Sequence, residues 1–101
     1  MFGLYLNSYK EILSIFQKHD NIEKVILYGS RAKGNYKEGS DIDFTLLGDL
    51  NYNDIIQLKF EFEESNIPYL IDISIFSDLD SDSLKEHINR VGKIFYEKTE
   101  K

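Results

Sequence analysis

Tyr28-Gly29-Ser30-Arg31-Ala32-Lys33-Gly34-Asn35-Tyr36-Lys37-Glu38-Gly39-Ser40-Asp41-Ile42-Asp43-Phe44-Thr45 is the stretch that decides the fold. An apolar run, Val25-Ile26-Leu27-Tyr28, leads into it and ends at Gly29-Ser30. Ten turn-rich residues follow, and then the pair Asp41 and Asp43. From position 41 the pattern alternates, with Ile42, Phe44 and Leu46 on one side and Asp41, Asp43 and Thr45 on the other. Strand side chains alternate between faces, so this is a strand with an apolar back and a polar front. If the Gly-Ser turn and the acids serve one site, the strands flanking the loop run antiparallel.

The rest of the chain supplies partners for those strands. Tyr9, Ile12, Leu13 and Phe16 recur at helical spacing, predicting a helix from Ser8 to about His19, with Ser8 and Glu11 in capping-box form. Residues 23–28 read as a buried strand, and Ser30 to Gly34 as one helical turn. Gly34, Asn35, Gly39 and Ser40 mark a loop. A second long helix is expected from Asn53 or Asp54 to Ser65, with Ile55, Leu58 and Phe62 inward and Glu61, Glu63 and Glu64 outward. Pro68 lies beyond its end. Tyr69 to Phe76 is a third strand, placing Ile71, Ile73 and Ile75 opposite Leu70, Asp72 and Ser74. A last helix spans Ser81 to Val91, and Ile94-Phe95-Tyr96 forms a short strand or an extended tail. A strand–helix–strand connection calls for a parallel pair. The sum is a single α/β (α+β) domain over residues 1–101: a small mixed sheet with helices packed on one face, its front carrying the acids.

Composition narrows the function. The chain has 101 residues, 42% hydrophobic and 30% charged, which suits one globular domain. It has no cysteine, which excludes disulfides and cysteine-held zinc. No apolar run reaches the roughly 20 residues that span a bilayer. The first residues lack signal-peptide form, so a cytoplasmic protein without membrane contact is expected. The net charge is −6, yet residues 24–37 hold Lys24, Arg31, Lys33 and Lys37 and no acid. Such a balance disfavours direct binding of nucleic acid, whose phosphates demand many cations, and favours one small anionic ligand at the basic segment.

The acids specify what that ligand does. Residues two apart on a strand are about 6.5–7 Å apart and point the same way, so Asp41 and Asp43 converge. Asp72 on the neighbouring strand adds a third carboxylate. Three such groups raise one another's pKa unless a cation joins them. Hard oxygen ligands select Mg²⁺, with Mn²⁺ as a substitute. Two ions about 3.5–4 Å apart can clamp the attacking and leaving oxygens of a phosphoryl displacement. Gly29 lets phosphate oxygens approach the backbone, Ser30 offers a hydroxyl and an amide, and Arg31 can fork onto phosphate or pair with a carboxylate. A P-loop is excluded, because Asn35-Tyr36 stands where Lys-Ser/Thr would be required.

Gly29-Ser30, ten residues, and then Asp41-Ile42-Asp43 resembles the signature of the DNA-polymerase-β-type nucleotidyltransferase superfamily. The short chain is similar to its minimal branch, the MNT-domain proteins of HEPN–MNT toxin–antitoxin pairs. The resemblance covers residues 8 to 96; its departure is Lys33, where the pattern Arg-Ala-Arg-Gly has a second Arg. It implies a nucleotidyltransferase fold and an enzyme that moves AMP from ATP onto a tyrosine hydroxyl of a HEPN-type RNase toxin, releasing pyrophosphate. Asp41, Asp43 and Asp72 would be the catalytic and metal-holding acids for two Mg²⁺ ions. Gly29, Ser30 and Arg31 would bind the nucleotide. Two other functions compete: an antitoxin that neutralises by occlusion alone, and a small-molecule nucleotidyltransferase. At this length little chain remains to build an acceptor pocket for the latter. Asp78 to Asp82 imitates a calcium loop but has Ser83 at the turn-glycine position and Asn89 at the bidentate position. His19 and His87 have no ligand-spaced companions and are expected on helix surfaces.

Overall fold

The computed structural model describes residues 4–34 and 41–99, excluding the side chain of Ser30. The loop expected over Asn35 to Ser40, including Lys37, lies outside the described residues. Helix α1 (Leu6–Gln17) is followed by β1 (Ile22–Tyr28), the short α2 (Ser30–Lys33) and β2 (Ile42–Gly48). Then come α3 (Tyr52–Glu63), β3 (Ile71–Ile75), a 3-10 turn, α4 (Asp82–Val91) and β4 (Lys93–Glu97). The sheet order is β3-β2-β1-β4. β1 is antiparallel to β2 and β4, and β2 is parallel to β3.

Alternation in β1 and β2 sends Val25, Leu27, Ile42, Phe44 and Leu46 to the back, where all are fully buried. α1 supplies Ile12, Ile15 and Phe16 to that core and α3 supplies Leu58 and Phe62. The Phe16 ring meets Phe44 edge-on at 5.2 Å, and Phe95 of β4 meets Phe44 at 4.9 Å. These contacts decide the fate of Ile94-Phe95-Tyr96: Phe95 closes the core, and its strand fills the second edge of β1. α4 makes a smaller contact elsewhere. Its capping glycine, Gly92, abuts the Ile26 side chain, which points opposite to Val25 and Leu27 and hence to the front.

Two helix starts differ from expectation. α1 begins at Leu6, two residues before Ser8, and its N-cap Tyr5 makes no side-chain bond. The Ser8–Glu11 capping box is therefore not formed, because Ser8 lies one turn before Ile12 on the buried stripe and is 6% exposed. α3 is capped by Asn51 instead of starting at Asn53 or Asp54. The Asp54 amide donates to Asn51 Oδ1 at 3.2 Å, and the Asn51 amide donates to Asp54 Oδ2 at 2.8 Å. Reciprocal bonds of this kind satisfy two amides that the helix leaves unpaired.

Two side chains assigned to the surface are also half-buried together. His19 Nε2 and Glu61 Oε1 lie 3.0 Å apart, joining the end of α1 to α3. The pair is 42 residues apart in sequence, so helical periodicity alone places each outward.

Candidate active site

Strand register builds the site. Tyr28 pairs with Asp43 across the antiparallel β1–β2 ladder, and Asp43 pairs with Asp72 across the parallel β2–β3 ladder. Residues in register share a face, so Tyr28, Asp43 and Asp72 form one row across three strands. Asp41 is exposed immediately before β2, two residues from Asp43. Asp43 and Asp72, distant in sequence, thus stand side by side on the front, with Asp41 exposed just before β2.

Gly29 ends β1 with φ +82° and sits against Asp43. A Cβ at this position would stand 2.6 Å from Asp43 Oδ2. Two constraints therefore converge on glycine here: the left-handed backbone and the carboxylate beside it. Ser30 follows directly and opens α2.

Electrostatics bear the same stamp. Burial pushes the Asp43 carboxyl above its ordinary value, and the charges of Asp72 and Asp41 push it further. Tyr28 is raised first by burial, against the effect of a hydrogen bond with Ser74, with the charges of Asp43 and Asp72 adding to the rise. The Ser74 hydroxyl also bonds Thr45 Oγ1 at 3.1 Å, and Thr45 is fully buried. A hydroxyl chain thus runs beside the acids. In the sequence Tyr28 is the end of an apolar run; the strand register alone places it opposite Asp43.

Arg31 is buried, unlike the other basic residues among those described. It is 3% exposed, and its guanidinium carbon lies 5.0 Å from the centroid of the Tyr69 ring. α2 is thereby tied to the start of β3.

Asp43 and Asp72, with Asp41 at the strand's start, are hard oxygen donors of the kind Mg²⁺ and Mn²⁺ prefer. Among the described residues no three His, Cys, Asp or Glu side chains close around one point. A cavity of about 710 Å³ near Asp20, Lys24 and Glu97 lies at the opposite end of β1 and holds none of these acids.

The family profile described as polymerase beta, nucleotidyltransferase, matches residues 10–101. The chain belongs to this family. A Methanocaldococcus jannaschii protein, provisionally named a protein adenylyltransferase, is 49% identical over 37 residues, which is 37% of this chain and 37% of that protein. The chain thus matches little more than a third of that relative's length. Among solved structures, a toxin–antitoxin complex with AMP-PNP contains a chain of TM-score 0.72 and 18% identity, covering 89% of this chain and 73% of that one. A complex of a tri-AMPylated Shewanella oneidensis HEPN toxin with its MNT antitoxin gives TM-score 0.64 and 16% identity over 91% and 71%. These likenesses establish a nucleotidyltransferase fold for this family member. No helix among its described residues is long and apolar enough to cross a membrane.

Proposed function

We propose that this chain transfers AMP from ATP to a tyrosine hydroxyl of a HEPN-type RNase toxin, releasing pyrophosphate and acting as that toxin's antitoxin. The observation that carries this is the register of Asp43 with Asp72, with Gly29 packed on the Asp43 carboxylate. The AMPylated toxin bound to an MNT antitoxin in the Shewanella complex supports the direction of transfer.

Gly29 lets the Asp43 carboxylate stand against the turn after β1, whose backbone takes the triphosphate tail, and Ser30 receives its oxygens through hydroxyl and amide. Arg31, stacked on Tyr69, holds α2 and with it this turn in place. Two Mg²⁺ ions, or Mn²⁺, held by Asp41, Asp43 and Asp72 would supply positive charge on the phosphate oxygens and favour ionisation of the acceptor hydroxyl. Asp72, exposed at the front, takes the acceptor's proton as its oxygen attacks the α-phosphorus. The bond from the α-phosphorus to the bridging oxygen breaks, and pyrophosphate carries that oxygen away.

Co-expression with a HEPN-domain RNase toxin, followed by intact mass of the toxin, tests the proposal. One or more added AMP units are expected, and none with Asp41→Asn or Asp43→Asn. Full neutralisation of the toxin by Asp43→Asn without any added mass would replace catalysis with simple occlusion.

A further inference from the structure

We propose that the groove between α3 and the outer edge of β3 seats the acceptor, as an extended polypeptide segment that presents its hydroxyl to Asp72. This rests on the AMP-transfer proposal above. Tyr28, Asp43 and Asp72 follow one another across β1, β2 and β3, and Gly29 comes directly after Tyr28. With the triphosphate at the Gly29 end of that row, the attacking oxygen enters from beyond Asp72. What lies there is a groove of about 370 Å³, lined by Lys59, Glu63, Ile67, Tyr69, Leu70 and Asp72. The groove and the acid row share one residue, Asp72.

Its chemistry fits a polypeptide better than a small sugar or nucleoside. Leu70 lies two residues before Asp72 and is 75% exposed, an apolar platform beside the acid that contributes little to the core. β3 is an edge strand paired with β2 alone among the described strands, so its outer backbone can pair with an added strand. Tyr69 forms a fixed wall: its hydroxyl accepts from the Tyr5 amide at 3.3 Å, and Arg31 lies over its ring. Two acids, Glu63 and Asp72, face one base, Lys59, in a chain of net charge −6. The segment that fits carries an apolar residue for Leu70, a hydroxyl residue at Asp72 and a Lys or Arg near Glu63. Arg31 thereby becomes a positioning residue for the acceptor wall as well as for the turn.

The test is calorimetric titration of the full chain with the same HEPN-type toxin, and separately with Mg-ATP. Leu70→Ser removes a contact worth about 10–100-fold in affinity when buried, and its exposure makes it harmless to the fold. Glu63→Lys should weaken toxin binding more at low salt than at high salt. Ile94→Ser, 55% exposed on β4 at the opposite edge of the sheet, is the control. Toxin affinity should fall about 10–100-fold in Leu70→Ser and stay within about twofold in Ile94→Ser, with Mg-ATP affinity unchanged in both. Equal toxin affinities for Leu70→Ser and Ile94→Ser would overturn the proposal. So would a parallel loss of Mg-ATP affinity, which would give the groove to the nucleoside. AMP transfer by the wild type, read in the same samples, judges the catalytic proposal independently: its absence sinks that proposal while the titrations still decide the groove.

Discussion

Gly29→Ala, paired with Gly34→Ala, isolates what the approach of the β1 turn to Asp43 does. Both glycines have left-handed backbones, φ +82° and +87°. An L-residue there costs about 1–2 kcal/mol. For a domain of this size that lowers Tm by roughly 4–16 °C, and both variants should show it. They differ in what the new methyl meets. At Gly34 nothing among the described residues lies within 4 Å, whereas at Gly29 the methyl stands 2.6 Å from Asp43 Oδ2. Restoring an ordinary 3.4 Å contact moves the carboxylate by about 0.8 Å. The Asp side chain can swing, so folding survives, but the acid leaves its alignment with Asp72. A displacement near 1 Å costs on the order of 10²-fold in rate, or about 2.7 kcal/mol of transition-state stabilisation. The assay is AMP transfer to the toxin from α-labelled ATP, run well below both melting points with Tm measured alongside. Gly29→Ala should lose about 100-fold relative to Gly34→Ala. Equal rates for the two variants would refute the claim that this close approach sets the position of Asp43.

Asp43→Asn should raise the Tm of the metal-free protein at neutral pH while abolishing transfer. The Asp43 carboxyl is raised in the folded state, chiefly by burial and then by Asp72 and Asp41, so its ionisation opposes folding. That penalty is complete above the folded pKa and absent below the unfolded one; the gain from Asn should fade in acid, as a pH series of melts would show. Glu61 has the opposite sign: burial raises its pKa, but hydrogen bonds from Gln57 and His19 and the charges of His19 and Lys18 bring it below the ordinary value. Its contribution is present above the unfolded pKa and is lost as pH falls through the folded one. Glu61→Gln should cost about 0.5–1 kcal/mol at pH 6, measured by urea unfolding, with the difference shrinking below pH 4. Gly48→Ala should damage stability alone. At φ +147° its Cβ would fall on the Asn21 carbonyl oxygen, and a backbone atom cannot swing away. A loss of about 3 kcal/mol or more is expected in chemical denaturation, without change in the rate per folded molecule.

Much of this was legible because it is periodic. The alternation Ile42-Asp43-Phe44 fixed both the buried face and the acid face of β2, and Asp72 inside Leu70-Ile71-Asp72-Ile73 stood out for the same reason. The stripe Ile55, Leu58 and Phe62 is the buried face of α3, as spacing predicts. What was hidden depends on contacts across the chain. Asn51, Asn53 and Asp54 all have cap-forming side chains, and only the observed helix start chooses Asn51. His19 with Glu61, and Arg31 with Tyr69, meet because α1, α2, α3 and β3 are brought together by the sheet, which no local pattern encodes. The strand at Lys93–Glu97 was ambiguous for a related reason: a short apolar run becomes a strand only when β1 offers it an open edge.

The central claim is that a divalent ion site forms where β2 and β3 align, next to the turn that takes the triphosphate. Anomalous diffraction from a crystal of the chain with Mn²⁺ and a non-hydrolysable ATP analogue tests it directly. Manganese peaks are expected among Asp41, Asp43 and Asp72, with the triphosphate on the backbone of Gly29 and Ser30. Manganese and nucleotide bound elsewhere, for instance in the cavity beside Asp20 and Glu97, would contradict it.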